Sequence, residues 1–140
     1  MPELAAPSSE ALALIISSAP NGVCEIGAGE GHWLAAMRRL GVACVGYDIR
    51  PRGPMVEFGD HVAAAARHAE LAFLAVWPPD GCAIEQWVRA WSGRTVIICG
   101  CWKRFRIGGA LADFHRVVEV MLPPGRKGPS LLAIFQRTKE

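Results

Sequence analysis

The stretch that decides the fold of this chain is Val23-Cys24-Glu25-Ile26-Gly27-Ala28-Gly29-Glu30-Gly31-His32-Trp33. It begins as a short apolar strand, continues as a glycine-rich turn and ends in the first turn of a helix. Glycine has no Cβ atom, so it accepts positive φ angles and lets a ligand lie against bare backbone. The free N–H groups at the start of the helix attract negative charge. A strand, a glycine-rich turn and a helix in this order are typical of a nucleotide-binding α/β domain.

Outside this stretch, the hydrophobic pattern alternates between strands and helices. Helices are predicted over residues 8–18 (with Ser8 or Ser9 as N-cap), 30–40, 60–68, 82–91 and 110–116. Strands are predicted over residues 23–26, 42–47, 55–58, 69–77, 95–100, 117–122 and 131–136, with a long hairpin loop over 123–129. The pattern therefore predicts an α/β fold, a three-layer αβα sandwich around a mostly parallel seven-stranded sheet that ends in a C-terminal antiparallel β-hairpin.

Length and composition favour one globular domain over residues 1–140, in which residues 1–20 form an N-terminal helix and lead-in. About half of the residues are hydrophobic, and the formal net charge of +2 is too small to imply a polyanionic partner by itself. No signal peptide is recognisable, and no apolar run reaches the roughly 18 residues of a membrane span, so no membrane association is predicted. The five cysteines lack disulfide-framework spacing and predict a reduced, cytoplasmic protein.

The spacing of the glycines discriminates between nucleotide classes. Gly27, Gly29 and Gly31 follow the pattern G-x-G-x-G. The dinucleotide fingerprint G-x-G-x-x-G/A would place its third glycine at His32, which argues against a dehydrogenase. The chain also lacks a G-K-[ST] sequence, which argues against a P-loop NTPase.

The segment from Glu25 to Gly31 resembles motif I of the class I S-adenosylmethionine-dependent methyltransferases, [DE]-x-G-x-G-x-G. The resemblance continues in order along the chain. Asp48, 21 residues after Gly27, stands where that family keeps an acid for the ribose hydroxyls, and Asp60 stands where it often has an acid at the adenine amine. The resemblance implies S-adenosylmethionine as cofactor, S-adenosylhomocysteine as product and methyl transfer as activity.

The residue types fit this cofactor. A carboxylate such as Asp48 holds a diol through charge-assisted hydrogen bonds, and Glu25 is expected to face the cationic amino end of the methionine moiety. Asp60 or His61 is expected near the adenine edge, although Asp60 is equally a candidate helix cap. The predicted cofactor-binding residues are Glu25, Gly27, Ala28, Gly29, Asp48, Ile49, Asp60, His61 and Trp77.

The acceptor side of the site departs from the family pattern. The amino-methylating branch has [DNS]-P-P-[YFW] after the fourth strand, where this chain has Trp77-Pro78-Pro79-Asp80. An indole only donates hydrogen bonds, so Trp77 cannot replace the usual acceptor, which argues against methylation of an exocyclic amine. A backbone carbonyl or Asp80 is a possible substitute, or Trp77 packs over the cofactor. No catalytic residue and no metal site is assigned; the candidates near the substrate are Trp77, Pro78, Pro79, Asp80 and Trp102.

The acceptor itself is left open between a small molecule and RNA. Basic residues on the expected rim form either a collar for an anionic acceptor or solvated loops: Arg50, Arg52, Lys103, Arg104, Arg106, Arg126 and Lys127. The lead-in before the first strand is short, so the site is expected to be open, which favours a macromolecular acceptor, a homodimer or a protein partner. Trp87, Trp91 and Trp102 belong either to such an interface or to the core.

Two further hypotheses remain beside the methyltransferase. One is a SAM-binding module or subunit that is not catalytic by itself, which the replacement at Trp77 favours. The other is an enzyme that uses the same cofactor for intramolecular alkyl transfer or a lyase reaction, which a cofactor motif does not exclude.

Overall fold

A computed structural model of the chain describes residues 7–79, 81–82, 84–125 and 128–138. Within these ranges, four helices and seven strands follow one another largely in alternation. The helices are α1 Ser9–Ser18, α2 His32–Arg39, α3 His61–Arg67 and α4 Glu85–Ala90. The strands are β1 Val23–Ile26, β2 Cys44–Asp48, β3 Val56–Phe58, β4 Ala72–Val76, β5 Thr95–Gly100, β6 Phe114–Gly125 and β7 Gly128–Arg137. In this part of the chain, no helix is long and apolar enough to cross a membrane.

The seven strands form one sheet in the order β3-β2-β1-β4-β5-β7-β6. The first five strands of the chain are parallel, and β7 runs antiparallel between β5 and β6. In the register of the sheet, Glu25 of β1 lies opposite Gly46 of β2 on one side and Leu74 of β4 on the other. The carboxyl ends of the five parallel strands therefore meet along one edge of the sheet.

Two apolar clusters cover the two faces of the sheet and confirm the predicted three-layer α/β fold. One cluster joins α1 and α2 to the sheet and includes Leu34, Met37 and Leu74. The other joins α3 and α4 to the opposite face and includes Phe73 and Trp91. Strands β1 and β5 are buried along their whole lengths, as expected for central strands covered on both sides.

The prediction of a helix over residues 110–116 is wrong. Residues 110–113 form turns, and Phe114 already begins β6, where it pairs with Arg137 of β7. The Phe114 ring also stacks on Trp91 at a centroid distance of 6.2 Å and lies under the Arg137 guanidinium. These long-range contacts override a helical propensity that differs by only tenths of a kcal/mol, roughly, between ordinary residues.

The long hairpin loop predicted over residues 123–129 is also wrong. The ladder between β6 and β7 extends to the pair Gly125 and Gly128, so the prolines at the end of β6 belong to the strand. Proline is tolerated there because β6 is an edge strand, whose outward N–H groups have no ladder partner to lose. Residues 126–127, which belong to the predicted basic collar, lie outside the described residues.

The first turn of α1 is closed by a side-chain cap. The Ser8 hydroxyl accepts a hydrogen bond from the N–H of Ala11 at 3.2 Å, which selects Ser8 over Ser9 as the N-cap. This cap satisfies one of the backbone donors that a helix start leaves unpaired.

Replacing Ser8 by Ala should therefore lower the free energy of unfolding by about 1 kcal/mol. Urea denaturation at neutral pH measures the change. Ser9→Ala is the matched control, because the exposed Ser9 side chain is inside the helix and caps nothing. Equal effects of the two substitutions would contradict the assignment of the cap.

Candidate functional site

The glycine turn lies where β1 passes into α2, at the carboxyl edge of the sheet. Gly27, Gly29 and Gly31 have φ angles of 77°, 57° and 83°, a region that strongly favours glycine. The N–H groups of Gly27 and Ala28 both donate to the carbonyl oxygen of Tyr47, at 2.9 and 3.0 Å. The turn is therefore bound to the end of the neighbouring strand β2 and has a fixed shape.

Asp48, at the end of β2, holds the same turn through its side chain. One carboxylate oxygen accepts from the Gly29 N–H at 2.9 Å, and the other accepts from the Arg50 N–H at 2.9 Å. A carboxylate has about four acceptor positions, so both oxygens retain capacity for a ligand. The sequence singles out Asp48 as a ligand-binding acid, but it does not reveal this second contact with the glycine turn.

Glu25 is the most deeply buried of the predicted site residues that carry a charge. Its side chain is on β1, the residue is 3% exposed, and its Oε1 atom has no hydrogen-bond partner. Burial, with a smaller contribution from the charge of Asp48, raises the pKa of the Glu25 carboxyl well above its usual value of 4.5. A cation bound beside Glu25 would offset both effects.

Trp77 follows β4 with a strained backbone. Its φ of 49° is the sole positive value among the non-glycine residues that the structure describes, and such a conformation costs on the order of 1–3 kcal/mol. Alternation along β4 would place Trp77 with Phe73 and Ala75, toward α3 and α4. The left-handed bend places it with Val76, in the cluster beneath α1 and α2, where it is 7% exposed and its indole Nε1 has no partner.

The residues predicted at the adenine end lie around the first turn of α3. Asp60 accepts a hydrogen bond from the Ala63 N–H at 3.0 Å, which confirms that it caps α3. Its predicted contact with adenine stays a prediction. Ile49 is 51% exposed at the end of β2. The His61 ring packs edge-on against Trp87 at 4.3 Å, and its Nε2 atom is buried without a partner.

Trp87 is a residue of this region that sequence reasoning does not assign to the site. It lies on α4, and its ring would stand 3.8 Å from a Cβ atom added at Gly27. Trp87 therefore connects the first glycine of the turn to His61 of α3. The signal in the sequence is weak, because an aromatic residue on an amphipathic helix indicates core packing just as well.

Arg52 lies over the glycine turn, and its backbone fixes the position. The Arg52 N–H donates to the Gly29 carbonyl at 3.0 Å. A guanidinium nitrogen of Arg52 is 3.0 Å from the point that a Cβ atom at Gly29 would occupy. Of the predicted basic collar, Arg50, Lys103 and Arg106 are exposed as well.

The candidates on the acceptor side are not all brought together. Trp102 donates from its indole N–H to the Leu131 carbonyl at 3.3 Å and packs against Phe105 and Phe135, so its contacts tie the loop after β5 to β7. Pro78 is buried and Pro79 is exposed beside Trp77. Asp80 lies outside the described residues.

Comparison with known proteins identifies the family and the fold. Residues 2–98 match a family model described as a methyltransferase domain. The magnesium protoporphyrin IX methyltransferase from Synechocystis PCC 6803, with SAH bound, superimposes with a TM-score of 0.67 at 13% identity, over 92% of this chain and 81% of that chain. No curated protein matches the chain significantly.

Two other solved structures share the architecture. The 1,6-didemethyltoxoflavin-N1-methyltransferase from Burkholderia thailandensis has a TM-score of 0.59 at 18% identity, over 94% of this chain and 78% of that chain. The 23S rRNA methyltransferase ErmE has a TM-score of 0.61 at 19% identity, over 96% of this chain and 70% of that chain. Identities this low carry the fold and not the substrate.

The buried carboxyl of Glu25 should make the free protein less stable as the pH rises. An acid whose pKa is raised by folding stabilises the folded state below its unfolded pKa of 4.5 and loses that contribution as the pH rises toward the folded value. The free energy of unfolding should fall by up to about 1.4 kcal/mol per pH unit in this window. Urea denaturation between pH 5 and pH 8 measures it.

Replacing Glu25 by Gln should remove this pH-dependent contribution to the free energy of unfolding. The variant should therefore be more stable than the wild type at pH 8. Glu10→Gln, at an exposed position on α1, is the control and should keep the wild-type pH dependence. A pH dependence that is unchanged in Glu25→Gln would show that the Glu25 carboxyl is ionised at no cost in the folded protein.

Proposed function

This chain belongs to the methyltransferase domain family, and from that premise we propose that it binds S-adenosylmethionine and transfers its sulfonium methyl group to an acceptor. The reaction breaks the bond between sulfur and the methyl carbon, forms a bond between that carbon and a nucleophilic atom, and leaves S-adenosylhomocysteine. The observation that carries the proposal is the glycine turn that Asp48 and Tyr47 hold at the carboxyl edge of the sheet, where ligands of such sheets bind.

Asp48 is proposed to hold the ribose. Its two oxygens lie at the end of β2 and already accept one backbone N–H each. The remaining lone pairs suit the two adjacent hydroxyls of the ribose, and hydrogen bonds to a charged acceptor are about twice as strong as neutral ones. The same carboxylate would then fix both the turn and the sugar that lies on it.

Glu25 is proposed to bind the ammonium group of the methionine moiety. Support comes from its unpartnered Oε1 and from the raised pKa of its carboxyl, since a bound cation removes the cost of ionisation. The backbone of Gly27, Ala28 and Gly29 would line the path between this group and the ribose.

Ile49, Asp60 and His61 are proposed to surround the adenine. Ile49 offers exposed apolar surface against the purine ring. The buried, unpartnered Nε2 of His61 offers a hydrogen-bonding atom, and Trp87 keeps the His61 ring in place from behind. Asp60 remains the proposed contact of the adenine amine beside its role as helix cap.

Methyl transfer from a sulfonium depends mainly on in-line positioning, because the leaving group is already activated. The acceptor class is proposed to be a small molecule or RNA. The named neighbours include a methyltransferase of magnesium protoporphyrin IX and one of 23S rRNA. The exposed cations Arg50, Lys103 and Arg106 on the loops at this edge suit an acceptor that carries negative charge.

A second candidate function is a SAM-binding module that needs a partner for catalysis. The observation that favours it is Trp77, whose buried indole offers a donor where the amino-methylating branch has an acceptor. Trp87 and Trp91 are buried and Trp102 is packed on the sheet, so a partner or homodimer would have to bind elsewhere. We further propose a cytoplasmic location, which the five free thiols support because disulfides are rare in that reducing compartment.

Replacing Asp48 by Ala should weaken binding of S-adenosylmethionine by at least about 1.5 kcal/mol, because charged hydrogen bonds to the ribose are lost and the turn is released. Isothermal titration calorimetry with S-adenosylmethionine and S-adenosylhomocysteine measures the affinity. Glu57→Ala is the control, since Glu57 is an exposed carboxylate on β3. An affinity that is the same in the two variants would refute the assignment of Asp48.

Catalysis and simple binding are separated by the fate of the methyl group. The protein is incubated with methyl-labelled S-adenosylmethionine and separate fractions of RNA, protein and small metabolites. Transfer of the labelled methyl group to one fraction would show that the protein is an enzyme and would identify its acceptor class. The same transfer should be absent with the Asp48→Ala variant. Cofactor binding without transfer to any fraction would favour the module, and no binding of either ligand would overturn both candidate functions.

A further inference from the structure

Two buried polar atoms of opposite hydrogen-bonding character flank the same end of the β1–β4 strand pair. Building on the proposed function, we propose that Trp77 is the residue that binds the carboxylate of the methionine moiety, donating from its indole Nε1, while Glu25 binds the neighbouring ammonium group. Trp77 is then a specificity-determining residue that selects a cofactor carrying an intact amino-acid end.

The two atoms are complementary to a zwitterion. Glu25 Oε1 accepts and Trp77 Nε1 donates, both are buried, and neither has a partner. A buried polar group without a partner costs roughly 1–3 kcal/mol, so a native structure that leaves two of them on, or directly after, neighbouring strands and on the same side of the sheet calls for an explanation. An α-amino acid supplies both missing partners, a donor for Glu25 and an acceptor for Trp77, as two groups attached to one carbon atom.

Two other buried or half-buried indoles of the chain, those of Trp91 and Trp102, contrast with that of Trp77. Trp91 donates to the Leu71 carbonyl at 3.1 Å, and Trp102 donates to the Leu131 carbonyl at 3.3 Å. Both indole N–H groups are satisfied within the protein. Trp77, in contrast, directly follows β4 at the carboxyl edge of the sheet, and its buried indole N–H has no partner.

The backbone strain at Trp77 explains how the donor reaches this position. Glu25 lies opposite Leu74 in the β1–β4 register, and Trp77 follows Leu74 by three positions. Val23, and by alternation Glu25, face the side of the sheet covered by α1 and α2. A regular strand would turn Trp77 to the other side. The left-handed bend at φ 49° brings its indole onto the side of Glu25.

Arg52 is the competing candidate for the carboxylate. Its guanidinium lies over Gly29, and the side chain is exposed. That position is on the β2 side of the turn, next to Asp48 and the proposed ribose, whereas the methionine end is proposed to lie toward β4. The exposed guanidinium of Arg52 is hydrated without the ligand, so it gains little from binding the carboxylate. The buried indole N–H of Trp77 has no partner without the ligand, so it gains a full hydrogen bond.

Three ligands distinguish the contribution of the ammonium group to binding from that of the carboxylate. S-adenosylmethionine carries both the ammonium and the carboxylate, decarboxylated S-adenosylmethionine lacks only the carboxylate, and 5′-methylthioadenosine lacks both. In calorimetric titrations the wild type should bind the first at least about tenfold more tightly than the second. Trp77→Phe should lose at least about tenfold in affinity for S-adenosylmethionine, and should bind the other two ligands within about threefold of the wild type.

The control variants assign the effect to single groups. Glu25→Gln should weaken both amine-bearing ligands and leave 5′-methylthioadenosine unchanged. Trp91→Phe removes an indole far from the glycine turn and should keep the wild-type preference between the ligands. Arg52→Ala should keep that preference as well. The proposal is overturned if Trp77→Phe weakens the two amine-bearing ligands equally, or if Arg52→Ala abolishes the preference.

A measurement on the wild type covers the case in which Trp77→Phe does not fold. In ¹⁵N–¹H correlation spectra the indole N–H signal of Trp77 should move downfield with S-adenosylmethionine and not with decarboxylated S-adenosylmethionine. An identical response to both ligands would overturn the proposal while leaving the proposed function standing. If S-adenosylmethionine and S-adenosylhomocysteine both fail to bind the wild type, the proposed function itself fails.

Discussion

The hydrogen bond from the Gly29 N–H to the Asp48 carboxylate, 2.9 Å long, is the contact on which the candidate site depends. It joins the glycine turn to the end of β2, and the Tyr47 carbonyl strengthens the junction by accepting from Gly27 and Ala28. Because the turn is held at both ends, α2 starts in one defined direction and Arg52 is held above Gly29. A ligand that uses Asp48 therefore binds to a surface whose shape that same residue helps to fix.

Several features of the candidate site destabilise the folded protein when no ligand is bound. Glu25 carries a buried carboxyl that lacks a full set of partners, His61 and Trp77 each carry a buried nitrogen without one, and Trp77 adds backbone strain. Each feature costs stability in the free protein. Such costs are common at functional sites, because a ligand that satisfies the groups regains the energy on binding. The proposed cofactor has a cation, an anion and a purine to satisfy them.

The sequence predicts the central strands better than the periphery. The bounds predicted for β1 and β5 are those observed, because strands buried on both sides appear as uninterrupted apolar runs. The predicted fourth strand, residues 69–77, is longer than the observed Ala72–Val76, because an apolar run does not show where strand pairing ends. The helix expected over residues 110–116 fails because pairing with β7 decides the conformation of that segment.

The sequence by itself determined the order of strands and helices, the family, and the identity of the acid that ends β2, because these depend on residue types at fixed local spacings. Only the tertiary structure decided which side chains contact the glycine turn and on which side of the sheet Trp77 lies. It showed that Asp48 binds the turn, that Trp87 lies against Gly27, and that Trp77 turns back toward the side of Glu25. The physical reason is that these contacts join residues distant in the chain, and a single left-handed residue reverses the side on which an indole is buried.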